Sequence, residues 1–325
     1  MVQMTLELAD RWIWDFWIVD DGDDHHVFYL QAPKSLGDPD LRHWNVSIGH
    51  AISNDLNNWT ILDDVFGAGP PGAFDDLSTW TGSAMEWNDG WAMLYTGTSH
   101  AERGLVQRIG LATSPDLRSW HRQNDAVLEA DPGRYESLDL DMWHDLAWRD
   151  PWLVAGPDPD EALVLFTARL NTGDRYDRGV IGRASSPDLR NWRLLEPMPA
   201  PTGFGQLEVP QLVQLGRHWY LIFSSDVGTQ SAERQRLGAG TGTYYLIGES
   251  PDGPFEMIDD GALEADPVGT TYAGRIHHQR SGDPCFLAWD RAGPDGTFVG
   301  RLGEARPLLV RSDGALEVAP TQRHT

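Results

Sequence analysis

One short pattern recurs along the chain and restricts the folds open to it. Ile48-Gly-His-Ala-Ile-Ser-Asn-Asp-Leu-Asn-Asn-Trp59 is answered by Ile109-Gly-Leu-Ala-Thr-Ser-Pro-Asp-Leu-Arg-Ser-Trp120 and by Ile181-Gly-Arg-Ala-Ser-Ser-Pro-Asp-Leu-Arg-Asn-Trp192. A degenerate copy, Ile247-Gly-Glu-Ser-Pro-Asp-Gly-Pro-Phe255, follows. Each copy reads as a strand, a Ser-x-Asp-Leu turn, and an aromatic residue opening the next strand. A supersecondary unit repeated at roughly sixty to seventy residues is the signature of blades or solenoid coils. Strand-like runs flank every copy: Trp80–Trp87 and Trp91–Thr96 in the second unit, Leu163–Arg169 in the third, Trp219–Ser224 in the fourth. A turn over 156–160 is expected inside the third unit. A fifth unit reads as Tyr272–His277, Pro284–Asp290, Thr297–Leu302 and Pro307–Arg311.

Five four-stranded units, roughly 11–65, 80–128, 147–198, 206–263 and 272–318, predict an all-β chain: a five-bladed β-propeller forming one domain over 1–325. Val2–Leu8 or the tail near Leu316–Ala319 is expected to close the ring by adding a strand.

Charge narrows the partners. The chain has 25 Lys and Arg against 49 Asp and Glu, a net charge of −24, and Lys34 is its sole lysine. Such a surface repels nucleic acid and anionic membranes. It also resembles the surfaces of proteins from salt-accumulating organisms, which predicts dependence on salt. No apolar run approaches the ~20 residues that span a bilayer. The first residues lack a basic n-region, and Cys285 is the sole cysteine, so a cytoplasmic, reducing setting is expected. The fifteen Trp point toward carbohydrate, because indole faces stack on sugar rings. The histidines show no recurring ligand spacing, so neither a metal nor any other cofactor is expected. The acid-rich segment Asp20–Asp24 reads as a solvated turn.

In a propeller the first strand of each blade lines the central channel. Asp15 lies on that strand in unit one, between indoles in Trp12-Ile-Trp-Asp-Phe-Trp17; Asp150 lies on it in unit three, in Trp148-Arg-Asp-Pro-Trp152; Glu208 lies on it in unit four, in Gln206-Leu-Glu-Val-Pro210. An isolated acid in an apolar strand is costly to bury unless it is paired or used. Three acids at one position of three blades are expected to converge on one pocket.

These segments resemble the three acidic motifs of the fructan-active enzymes, glycoside hydrolase families 32 and 68. Phe28-Tyr-Leu-Gln31, the Gly49-His-Ala repeat strand and Trp80-Thr-Gly-Ser-Ala84 extend the resemblance over nearly the whole chain. It implies a retaining glycoside hydrolase cleaving terminal β-D-fructofuranosides, sucrose or short fructo-oligosaccharides, with fructosyl transfer as a variant. Asp15 would be the nucleophile, ionised beside Arg149; Glu208 the acid/base; Asp150 the transition-state stabiliser. Trp14, Gln31, Trp80, Thr81, Arg149 and Tyr272 would contact the sugar. The segment around Asp15 departs from the usual family 32 motif, with Trp14 in place of Asn and Phe16 in place of Pro. The C-terminal β-sandwich common in family 32 is not expected here. Two alternatives stay open: an inverting arabinofuranosidase or xylosidase of related propeller type, and a sugar-binding propeller without catalysis.

Overall fold

The computed structural model describes residues 5–156 and 161–320. Beyond Gly156, the turn expected over 156–160 lies outside the described residues, as do residues 1–4 at the start of the segment expected to close the ring.

The recurring motif is a lock on a tight turn. Asp55, Asp116 and Asp188 each accept the backbone N–H groups two and three residues on, at 2.7–2.9 Å. The serine two residues earlier donates its hydroxyl to the same carboxylate at 3.0–3.1 Å. The next residue, Leu56, Leu117 or Leu189, is forced to φ +61°. That conformation costs a side-chain-bearing residue about 1–2 kcal/mol. Full burial of the three leucines, at about 1.5–3 kcal/mol each, offsets it. The motif glycine has a different cause. Gly49, Gly110 and Gly182 lie opposite Tyr29, Tyr95 and Phe166 on the neighbouring strand. A Cβ there would meet those rings at 2.1–2.6 Å, so only glycine lets the aromatic ring cross the strand.

These units build the five blades. The first comprises β1 (Arg11–Asp20), β2 (His25–Pro33), β3 (Ser47–Ser53) and β4 (Thr60–Ile61). The second comprises β5 (Ser78–Trp87), β6 (Gly90–Thr98), β7 (Gln107–Ser114) and β8 (His121–Arg122). The third has β9 (Trp148–Ala155), β10 (Ala162–Arg169), β11 (Gly179–Ser186) and β12 (Arg193–Leu194). The fourth has β13 (Glu208–Leu215), β14 (His218–Ser225), β15 (Thr241–Gly248) and β16 (Phe255–Glu256), and β17 (Ala262–Asp266) adds to β15. All pairings between these named strands are antiparallel, in simple up-and-down order.

The fifth blade departs from the expected strands. Its third position is a broken strand: β20 (Phe298–Leu302) and β21 (Arg306–Val310) both pair with β19 (Pro284–Ala292). The outermost strand is β22 (Leu316–Val318), so the segment expected as fourth lies one place further in. The inner strand is β18 (Thr271–His278). Ring closure draws on both ends of the chain: β22 completes the blade, and Leu6 bridges Leu302 through two reciprocal backbone hydrogen bonds of 3.1 and 3.2 Å.

Side chains alternate across a strand, and here both faces are covered. Phe28 and Leu30 of β2 pack toward the second blade, while Val27 and Tyr29 pack toward the fifth. Every pair of neighbouring blades shares a core of this kind. Trp59, Trp120 and Trp192 of the motif pack against these interfaces, so part of the tryptophan excess serves the ring and not a sugar. Among the described residues no helix is long and apolar enough to cross a membrane.

Candidate active site

The inner strands share a local irregularity that aims side chains into the channel. Each carries a β-bulge at the same level: at Asp15 in β1, Thr81 in β5, Asp150-Pro151 in β9, Val209-Pro210 in β13 and Ala273-Gly274 in β18. Bulges re-aim side chains beside active sites. Asp150, Val209 and Ala273 sit at φ +51° to +58°. The alignment corrects one expectation. Asp15 and Asp150 occupy the bulge itself, whereas Glu208 lies one residue earlier, level with Trp14, Trp80, Arg149 and Tyr272. Val209 takes the bulge position in blade four and gives its backbone N–H to Asp150 at 3.1 Å.

The bulges surround a cavity of about 470 Å³, lined by Asp15, Asp150 and Glu208 with Trp14, Trp80, Thr81, Arg149 and Tyr272. Gln31 is the expected contact that the fold takes elsewhere. It points to the opposite face of β2 from the cavity-lining Leu30, and its amide donates to Ser47 and Asp64.

The three carboxylates have distinct surroundings. Asp15 receives the Thr81 hydroxyl on one oxygen at 2.6 Å and the Trp289 indole N–H on the other at 3.1 Å. Burial raises its pKa, the Thr81 hydrogen bond pulls back, the charge of Glu208 raises it further, and Arg275 and Arg42 lower it. Asp150 is 3% exposed. It accepts the Thr167 hydroxyl at 2.9 Å as well as the Val209 N–H. Burial pushes its pKa up to about 7 against the pull of Arg149, with Glu208 and Asp15 adding to the rise. Glu208 is held by Arg149 at 2.6 Å on one oxygen and by the Tyr272 hydroxyl on the other. Burial and the Glu208 charge keep the Tyr272 phenol protonated, its pKa well above the usual value.

Arg149 is where the arrangement differs from the resemblance. It was expected beside Asp15. Its guanidinium instead spans Glu208, Asp145 at 3.2 Å, Asp150 at 3.6 Å and the Gln107 amide oxygen at 2.9 Å. Burial works against its charge, but Asp145, Glu208 and Asp150 together raise its pKa. Arg149 therefore organises the acids, and the cations acting on Asp15 are Arg42 and Arg275. Arg275 lies among the bulges, donating to the carbonyls of Val209 and Pro210 at 3.2 and 2.6 Å.

Sequence reasoning missed several of these residues. Trp289 sits on β19 opposite Tyr272, and only the strand register could have brought it to Asp15. Asp145 was not among the expected site residues, although its spacing of four from Arg149 was a usable signal. Gln107, on the third strand of blade two, carries no signal: its amide nitrogen holds Asp145 at 2.8 Å while its oxygen holds Arg149. Arg42, His43 and Trp44 reach the cavity from a 3₁₀ turn over Pro39–Trp44.

Residues 17–294 match the sequence profile of Glycosyl hydrolases family 32 N-terminal domain. Beta-fructofuranosidase 1 of Zea mays is 29% identical over 195 residues, covering 56% of this chain and 28% of that protein. Fructan 6-exohydrolase of Triticum aestivum is 26% identical over 289 residues, covering 82% of this chain and 42% of that protein. The chain thus spans less than half the length of these two relatives. Among solved structures, the inulosucrase from Halalkalicoccus jeotgali bound to kestose superposes with a TM-score of 0.79 at 20% identity, over 98% of this chain and 91% of that one; it shares the fold. By the profile match over most of its length, the chain belongs to glycosyl hydrolase family 32, through that family's N-terminal domain.

Proposed function

We propose that the chain is a retaining glycosidase that cleaves terminal β-D-fructofuranosides, with sucrose or short fructo-oligosaccharides as substrates. The observation that carries this reading is the division of labour among three carboxylates facing one cavity. Two are held by different partners at its wall, and the third is sunk beneath it. Retaining glycosidases need one carboxyl as nucleophile and a second as acid/base, with a covalent sugar–enzyme intermediate between.

Asp15 is the nucleophile in this reading. Both of its oxygens are fixed by neutral donors, which orient the carboxylate without forming an ion pair that would blunt it. An Asp15 oxygen attacks the anomeric carbon as the glycosidic bond breaks, and Glu208, having taken up a proton before the step, gives it to the leaving oxygen. Glu208 then takes a proton from water, whose oxygen displaces Asp15 and releases fructose. A sugar hydroxyl in place of water gives fructosyl transfer by the same steps. Asp150 contacts the sugar and stabilises the oxocarbenium-like transition state, and Trp14 and Trp80 supply apolar walls. Trp14, in place of the usual Asn, sets the edge of the fructose pocket, whereas Phe16, in place of the usual Pro, is buried between the first and fifth blades.

A panel of sucrose, inulobiose, inulin, levan and arabinofuranosides, with product identification and the anomeric configuration followed by NMR, tests the proposal. Release of fructose with retention is expected. Inversion, or no cleavage of any fructoside, overturns it. Asp15→Asn is expected to lower kcat by at least about 10³-fold and Glu208→Gln by about 10²–10⁴-fold.

A further inference from the structure

The opposite mouth of the channel holds a second group of chemically capable side chains. β1 ends on Asp20, β2 begins on His25, and the two residues pair across the hairpin. β18 of the last blade brings His277 to the same place. Here the first and fifth blades meet, beside a cavity of about 370 Å³ whose lining includes Asp20, His277 and His278. His25 is fully buried, His277 partly so, and Asp20 reaches solvent.

The donor atoms face one another. His25 Nδ1 lies 3.1 Å from His277 Nε2 and 3.3 Å from an Asp20 carboxylate oxygen. All three atoms fall within 4.8 Å of one another. Ligand atoms on a tetrahedral zinc ion, with bonds of about 2.0–2.2 Å, stand about 3.3–3.5 Å apart. Two edges of that triangle are thus close to the required length already. The third closes by a rotation of the exposed Asp20. The two imidazole rings meet edge to face at 80°, and a metal ion would replace the proton now shared between their facing nitrogens.

We propose that Asp20, His25 and His277 form a zinc site that joins the first blade to the last, with water as the fourth ligand. Two imidazoles and one carboxylate suit zinc better than calcium or magnesium, which prefer all-oxygen shells. The site is remote from the three carboxylates of the catalytic cavity and does not depend on the proposed activity. Its competitor is visible: Arg280 donates to both oxygens of Asp20 at 2.7 Å. Zinc must take one of those oxygens, so Arg280 should weaken binding.

The test uses the full chain, stripped with chelator and titrated with zinc chloride by calorimetry, with thermal unfolding alongside. One zinc per chain, and a Tm that rises with zinc but not with calcium or magnesium, are expected. Asp20→Asn and His277→Gln should each weaken binding by at least about tenfold, while Arg280→Gln should tighten it. Absence of saturable 1:1 binding overturns the proposal. So does binding that survives unchanged in Asp20→Asn, a substitution at an exposed residue that leaves the core intact. His26 and His50, 2.9 Å apart nearby, are the alternative zinc donors that this last outcome would implicate.

Discussion

Trp289 fixes one oxygen of the proposed nucleophile from a strand that carries no acidic motif. Trp289→Phe keeps the aromatic packing and removes one donor, a loss of about 1 kcal/mol. Steady-state kinetics should show kcat falling about five- to tenfold with KM little changed, since the group acts on Asp15 and not on the sugar. Asp150 makes a different prediction. Its folded-state pKa, about 7, stands above the ordinary value of about 3.9 for the unfolded chain. The folded protein therefore binds the extra proton, and Asp150 withdraws stability as pH rises from about 4 to 7. Asp150→Asn should then raise Tm relative to the parent at pH 8, with the gain fading toward pH 4, while turnover is lost. Scanning calorimetry across that range, paired with assays, checks both halves. The three acids were legible in the sequence because a lone carboxylate in an apolar strand stands out. Their partners were not, because Gln107, Trp289 and Arg275 are ordinary residues until register and bulges bring them together.

At the scale of the element, the repeat and the site are written in different places. The Ser-x-Asp-Leu lock sits on the outer turn, where it needs only local hydrogen bonds, and so it was readable as a linear pattern. Asp55→Ala removes the acceptor for two backbone N–H groups and should lower stability by about 1 kcal/mol. Its folded pKa is pulled down to about 2, chiefly by hydrogen bonds from Asn58 and Asn57 that outweigh the cost of burial. That stabilisation is present above about pH 4 and is lost as pH falls toward 2, so parent and variant Tm values should converge in acid. The inner-strand bulges left no such trace. A two-residue period with one residue too many looks like an ordinary strand in the sequence, and for that reason Glu208 was aligned one place out. The side of the strand on which Gln31 emerges follows from the same alternation, and a correct reading of Leu30 as the channel-facing residue would have excluded it.

For the molecule as a whole, a net charge of −24 sets a self-repulsion that every blade shares. Salt at 0.15 M screens beyond about 8 Å, so Tm should climb as potassium chloride is raised from low millimolar to molar concentration. A Tm that stays flat would mean that local ion pairs such as Arg306–Glu264 and Arg108–Glu102 already contain the repulsion. The blade count was legible because the period exceeds anything chance would repeat. The closure was only half legible, since the break between β20 and β21 depends on how the last blade meets Leu6. The bulges have one more consequence. Five near-equal backbones around an axis would offer a ring-shaped guest five equivalent ways to lie. Asp15, Thr81 and Asp150 occupy three consecutive tips, while the other two carry the apolar Val209 and Ala273. The ring thus has a heading, and a sugar entering it meets one sector whose polar groups stand at the bulges and another whose polar groups, Glu208 and Tyr272, stand one residue earlier.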